Sequence, residues 1–292
     1  MRAPETRTQL FLDSGDPAES RRALEILGRL DGQTTNPSLI AKNPELQARL
    51  RAGKRLSQEE VLEFYRATLR EIERVTAGPL SVEVYADESS TGDDLLRQGR
   101  EMFQWIRNAY VKYPTTAAGL EAAERGVADG MRVNMTLCFS QEQAAAVYAA
   151  TRKTSVPAFV SPFVGRLDDR GENGMELIAN ILRMFESGDG HVLTLTASVR
   201  SLDHLLYTFA LGSPLVTAPL KVYEDWAEAG FPVPQADYRF DAGELKLLPF
   251  REVSLDTAWR DHDLHHELTD AGQRKFAEAW NSLLSEARVA GS

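Results

Sequence analysis

The sequence predicts an α/β fold, a (β/α)8 barrel with added helices, on three observations. Strand-like apolar runs alternate with helical periodicity about eight times, beginning near residues 9, 32, 80, 108, 131, 156, 191 and 213. The chain has 292 residues, just above the ~250 typical of such a barrel. The polar residues that stand out fall at or just after strand C-termini, the face on which barrels build their sites. A doubly wound open sheet is the alternative arrangement of the same alternation. One domain over 1–292 is expected, with about 231–292 as a C-terminal extension packed on the barrel.

Taken in order, Gln9 to Asp13 reads as a short buried strand that delivers Asp13 at its end. Asp16 and Pro17 then supply the N-cap and first position of a helix carrying Ala23, Leu24, Leu27 and Leu30 on a helical period. Gly32 to Thr35 form a brief strand, and Asn36-Pro37 forces an extended exit that leaves Asn36 at its edge. Residues 43–76 read as helical decoration, with a capping box at Ser57 to Glu60. Pro79 to Tyr85 alternates so that Ser81 and Glu83 share one face.

After a helix from Asp93 to Trp105 comes the stretch Asn108 to Thr116, N-A-Y-V-K-Y-P-T-T. Alternation puts Lys112 on the face of Tyr110 and Asn108, and Pro114 ends the ladder. A lysine aimed where burial is expected loses hydration, which favours the neutral amine that a Schiff-base nucleophile needs. Glu83 should face the same interior. Thr116 caps the next helix, and Met131 to Leu137 turns Asn134 and Thr136 to one face.

Ser140 caps a helix over Gln141 to Ala150, and Val156 to Ser161 is again a strand, with Arg166 just beyond it. A helix from Gly174 to Phe185 leads to the strand His191 to Ala197, which ends on Ser198 and Arg200; a helix at 201–211 feeds Pro214 to Thr217. In the tail, Thr269 is expected to start a helix whose Phe276, Trp280, Leu283 and Leu284 form an apolar stripe. His262, His265 and His266 stand at i, i+3 and i+4, a spacing that suits a metal, but no further signature completes it and no metal is expected.

Composition narrows the function. With 43 acidic against 33 basic residues the net charge is -10, which argues against a nucleic-acid or anionic-membrane surface. A phosphate-bearing ligand must then meet a local basic cluster. The single cysteine, Cys138, fits the core of a protein in a reducing cytoplasm. No apolar signal core opens the chain, and no run approaches the roughly 20 apolar residues of a membrane span. Residue by residue, this is a Schiff-base enzyme or a sugar-binding barrel.

Six motifs in order then resemble the transaldolase family: T-T-N-P-S-L-I-A-K at 34–42, S-V-E-V at 81–84, V-K-Y-P-T-T at 111–116, V-N-M-T-L-C-F-S at 133–140, S-P-F-V-G-R-L-D-D at 161–169 and A-S-V-R at 197–200. The resemblance covers roughly residues 9–230 and implies a TIM barrel. It implies Lys112 as the Schiff-base lysine, Asp13 as acid/base, and Glu83 with Thr136 holding a catalytic water. It implies Asn36, Asn134 and Ser161 as hydroxyl and carbonyl contacts, and Arg166, Ser198 and Arg200 as the phosphate site. The implied activity is transfer of a dihydroxyacetone unit between sugar phosphates, without a cofactor and with room for a homo-oligomer.

A direct fructose-6-phosphate aldolase is the close alternative. In that resembling subgroup a glutamine stands at the position of Glu83 and a tyrosine at that of Phe163, whereas both positions here match the transferase pattern. A catalytically silent sugar-phosphate-binding barrel is the alternative of another class, and the intact set of Lys112, Asp13 and Glu83 weighs against it. Tyr113 departs from the smaller aliphatic residue usual after the lysine.

Overall fold

The computed structural model describes residues 2–53, 55–235 and 237–284. The end of the expected extension, 285–292, lies outside them. The barrel is closed: eight parallel strands pair in sequence order, and the last pairs with the first. The open-sheet alternative is thereby excluded.

Chain order is β1 (Gln9–Asp13), α1 (Pro17–Leu27), β2 (Gly32–Thr34), α2 (Pro37–Ala41), α3 (Pro44–Arg51), α4 (Gln58–Glu73), β3 (Leu80–Glu83) and α5 (Gly92–Phe103). It continues with β4 (Ala109–Pro114), α6 (Ala117–Ala128), β5 (Val133–Cys138), α7 (Gln141–Ala150), β6 (Ala158–Pro162), α8 (Val164–Asp168), α9 (Gly174–Phe185) and β7 (Val192–Thr196). α10 (Leu202–Ala210), β8 (Leu215–Ala218), α11 (Leu220–Glu228), a 3-10 turn (Trp259–Asp261) and α12 (Glu267–Asn281) close the chain.

Caps explain why the helices begin where they do. Asp16, Ser57, Thr116, Ser140 and Ser201 each accept a first-turn N–H, and Ser57 with Glu60 closes a reciprocal capping box. Two short helices were not foreseen. Asn36 is extended as expected, but its side chain accepts from Leu39 N–H and Pro37 sits at N1, so the exit becomes α2. S-P-F-V-G-R likewise passes from strand into α8, which carries Arg166.

The interior is layered. Phe11, Tyr110, Phe159, Leu195 and Leu215 fill one level, with Tyr110 stacked on Phe159 at 4.2 Å and Phe11 edge-on to it. Tyr110 precedes Lys112 by two residues on the inward face, so this aromatic plug is the floor on which the polar level stands.

The tail departs from expectation in one detail. α12 starts at Glu267, with the His266 side chain as N-cap, not at Thr269. Thr269 is buried in the first turn, where it donates to Leu137 C=O at 2.9 Å and accepts from Gln143 Nε2 at 2.8 Å. Phe276, Trp280 and Leu283 are buried, and α12 packs on α2 and β5 across the strand C-termini. Before it, the chain is strapped to the outer helices by Asn180 Nδ2 on Leu248 C=O at 2.7 Å and by two bonds between Gln141 and the Arg251 backbone.

Candidate active site

Lys112 and Glu83 face each other in register on β4 and β3, and Nζ lies 3.0 Å from Oε2. Both side chains are buried, at 3% and 4% exposure. Lys112 Nζ also donates to Thr35 C=O at 3.3 Å. Burial raises the Glu83 carboxyl to about 7, against the opposing pull of the Lys112 ammonium. Next along the sheet, Lys112 is in register with Asn134 on β5. Asn134 donates to Ser81 Oγ at 2.9 Å and accepts from Ser161 Oγ at 2.7 Å, which fixes both hydroxyls. Thr136 stands two residues beyond Asn134 on the same face, its Oγ1 buried without a hydrogen-bond partner among the described residues.

A cavity of about 200 Å³ opens over this layer. Asp13, Asn36, Lys112 and Ser161 line it, while Glu83, Asn134 and Thr136 lie outside its wall. Asp13 Oδ1 accepts from Thr34 Oγ1 at 2.6 Å, and Thr34 is in turn 2.6 Å from Thr217 Oγ1. Because Thr34 donates to the carboxylate, Thr217 is the donor to Thr34. Burial holds Asp13 above the ordinary carboxylate range, opposed by Lys112, Thr34 and Lys42.

The cavity lining is also cationic. Arg166 and Arg200 line it with Lys42 and Lys275, in a chain of net charge -10. The Arg166 guanidinium lies between the rings of Phe163 and Phe276, 5.3 Å from each centroid. Gly272 on α12 makes room for this, since a Cβ there would stand 2.6 Å from Arg166 Nη1 and 2.5 Å from Leu137 Cδ2. Ser198 adopts a left-handed backbone, φ 58°, an arrangement that costs roughly 1–2 kcal/mol for a residue with a side chain. Its carbonyl accepts from Gly165 N–H at 3.1 Å, which seats the Arg200 loop against α8.

With that geometry established, comparison with known proteins is decisive. The sequence profile of the transaldolase/fructose-6-phosphate aldolase family matches residues 10–287. The chain belongs to this family. Among its relatives, a probable transaldolase of Sorangium cellulosum is 40% identical over 216 residues, 73% of this chain and 87% of that protein. A probable transaldolase of Myxococcus xanthus is 32% identical over 281 residues, 96% of this chain and 97% of that protein. A third, from Anaeromyxobacter sp., is 34% identical over 94% of this chain. The match to the last two therefore runs through most of the tail as well as the barrel. Membership makes the chain an enzyme, a transferase in the sense of its relatives' names.

Within this transaldolase-family site, sequence reasoning missed Thr34, Thr217, Lys42 and Lys275, and took the helix bearing Tyr65 for decoration. Thr34 and Lys42 are the two ends of the T-T-N-P-S-L-I-A-K motif, and alternation places Thr34 inward; Lys275 comes from α12, whose sequence signals only an apolar stripe. The histidines point apart. His262 Nδ1 meets Glu142 at 2.7 Å, His265 Nε2 lies 3.4 Å from Asp270, and His266 caps α12 while stacking on Phe139. Cys138 is buried and its thiol is pushed up to about 12. No helix among the described residues is long and apolar enough to cross a membrane.

Proposed function

We propose that the chain is a Schiff-base transaldolase, moving a dihydroxyacetone unit from sedoheptulose 7-phosphate to glyceraldehyde 3-phosphate to give erythrose 4-phosphate and fructose 6-phosphate. The observation that carries this reading is the buried Lys112–Glu83 pair, 3.0 Å apart, beneath a cavity ringed by cations. Residues 231–292 belong to the same catalytic unit in this reading, since α12 contributes Lys275 and Phe276 to the cavity.

Lys112 Nζ adds to the ketose C2 carbonyl, Glu83 takes a proton from the amine and returns it to the carbinolamine hydroxyl, and that oxygen leaves as water to give an iminium. Asp13 accepts the proton of the C4 hydroxyl as the C3–C4 bond breaks. The bonding pair stays on C3 as an enamine, and the aldose phosphate departs with a new carbonyl. That enamine carbon then attacks the aldehyde of the acceptor, and Asp13 returns the proton to the oxygen formed. Water added to the iminium frees Lys112. Glu83, raised to about 7, exchanges a proton near neutrality, and the partnerless Thr136 Oγ1 suits a role in holding that water.

Asn36 and Ser161 meet the hydroxyls of the three-carbon unit, with Asn134 orienting Ser161. Arg166, Ser198 and Arg200 take the phosphate, which forked guanidinium donors suit. Such chemistry on sugar phosphates fits the cytoplasm and the acidic composition. Borohydride treatment with fructose 6-phosphate, followed by peptide mass spectrometry, tests the reading. A reduced three-carbon adduct is expected on Lys112; no adduct, or one on another lysine, overturns it.

A further inference from the structure

Tyr65 lies on α4, in the insert between β2 and β3, yet its hydroxyl is inside the sheet. It is fully buried, accepts from Glu83 N–H at 3.0 Å and makes a short hydrogen bond with Thr35 Oγ1. Thr35 Oγ1 gives its own proton to Ser81 C=O at 2.8 Å, so the phenol is the donor in the short bond. Each proton in this chain has one direction, from Glu83 N–H to Tyr65, from Tyr65 to Thr35, and from Thr35 to Ser81.

The position is unusual for what it interrupts. Thr35 N–H donates to Ser81 C=O at 3.1 Å, as a parallel ladder requires. The next rung of that ladder would join Glu83 N–H to Thr35 C=O. Instead the N–H goes to Tyr65, and Thr35 C=O accepts from Lys112 Nζ at 3.3 Å. One rung has been opened, and the two groups it released are the backbone of Glu83 and the acceptor of Lys112.

We propose that Tyr65 is a positioning residue for the Lys112–Glu83 pair: its hydroxyl holds the Glu83 backbone away from Thr35 and so keeps the Thr35 carbonyl available to the lysine. Lys112 then has a hydrogen-bond acceptor in Thr35 C=O and an ion-pair partner in the Glu83 carboxylate, and the two together hold Nζ in place. The ring is held in place by Trp105, edge-on at 5.8 Å, and by Trp280 of α12 at 6.3 Å. Burial also raises the phenol above its ordinary range, so it remains a donor throughout the working pH range.

This inference rests on the Schiff-base reading and is tested separately from it. Tyr65→Phe keeps the ring packing and removes only the hydroxyl, which allows the Glu83–Thr35 rung to close and takes the carbonyl from Lys112. The rate of borohydride trapping at Lys112 and kcat are expected to fall by about 10- to 100-fold, the scale of loss when a reacting group is misplaced by an ångström. The preference for phosphorylated over unphosphorylated ketose stays unchanged, and the limb of the pH profile set by Glu83 moves.

Thr35→Val, which removes the acceptor of the phenol proton and keeps the carbonyl, is expected to lower the trapping rate in the same direction, and decides the matter if Tyr65→Phe does not fold. Lower thermal stability with trapping rate and pH profile unchanged overturns the proposal, since Tyr65 would then only pack. Wild-type protein run alongside separates the two ideas. Equal trapping in wild type and variants overturns the role of Tyr65 alone, whereas no adduct on wild-type Lys112 overturns the reading beneath it as well.

Discussion

Asp169 holds Arg200 through both guanidinium nitrogens, with Nη2 2.7 Å from Oδ2. The arginine assigned to phosphate is therefore already paired with a carboxylate, and Arg200 keeps Asp169 below the usual carboxylate range. The two side chains are 46% and 59% exposed, and an exposed pair of this kind is worth only about 0–1 kcal/mol. A phosphate dianion should displace it.

Asp169→Asn is accordingly expected to lower the KM for phosphorylated ketose by a few-fold, roughly the value of one exposed ion pair. The unphosphorylated substrate should be unaffected, and the gain should shrink in high salt as charges on the rim are screened. A raised KM would show instead that Asp169 orients Arg200 for its ligand.

Arg166 is held differently, between two aromatic rings. Burial lowers its pKa from the ordinary arginine value. Arg166→Ala should weaken transition-state binding of phosphorylated substrates by about 1.5–3 kcal/mol, the range for a hydrogen bond to a charged group. Arg166→Lys should not restore it, because an ammonium lacks the flat face that stacks on Phe163 and Phe276. Steady-state kinetics with fructose 6-phosphate and with free fructose decide the point; equal losses on both would refute the phosphate assignment.

Glu83 gives the protein a pH signature. Its carboxyl rises from 4.5 to about 7 on burial, so the folded state favours the neutral acid more than the unfolded chain does. The stability it contributes is full below pH 4.5 and is lost as pH rises through about 7. Denaturation midpoints of wild type should therefore fall relative to Glu83→Gln across that window, and the limb of kcat/KM near 7 should vanish in the variant. Parallel stability curves for the two proteins would contradict the raised carboxyl.

How much of this was legible follows from where each residue sits. Asp13, Lys112, Glu83 and Asn134 lie at or near strand ends, and two-residue alternation with parallel pairing suffices to aim them inward. Tyr65 and Lys275 reach the site from helices, where a 3.6-residue period shows only that one side is apolar and not which strand it meets. The pairing of Arg200 with Asp169 depends on a left-handed turn at Ser198, a residue whose identity announces no such backbone. The i, i+3, i+4 spacing of the histidines suits a metal, yet the His266 side chain is a helix cap.

Tyr113, the departure beside the lysine, points away from the site. It is fully buried against the outer helices, and its hydroxyl has no hydrogen-bond partner among the described residues. A buried hydroxyl without a partner costs about 1–3 kcal/mol by protein mutational measures. Tyr113→Phe should therefore raise the denaturation midpoint while leaving kcat unchanged. A drop in kcat would mean that the residue behind Lys112 takes part in placing it.

The balance between transfer and release turns on what can protonate the three-carbon intermediate. After cleavage the enamine on Lys112 meets either a proton, giving free dihydroxyacetone, or an acceptor aldehyde, giving a new ketose. Phe163 lines the cavity and offers no hydroxyl there, and its ring is occupied by Arg166 on one side and Phe139 at its edge. Phe163→Tyr introduces a phenol that can donate a proton or order water over the intermediate. With fructose 6-phosphate alone, the variant should release dihydroxyacetone faster than wild type does. With acceptor present, its ratio of transfer to release should fall, while the borohydride adduct stays on Lys112. The change adds an oxygen to a packed ring, so a stability loss is measured alongside and does not itself alter the ratio. If wild type already releases dihydroxyacetone as fast as it transfers it, the chain is a direct aldolase, and the absence of a hydroxyl at position 163 does not protect the intermediate.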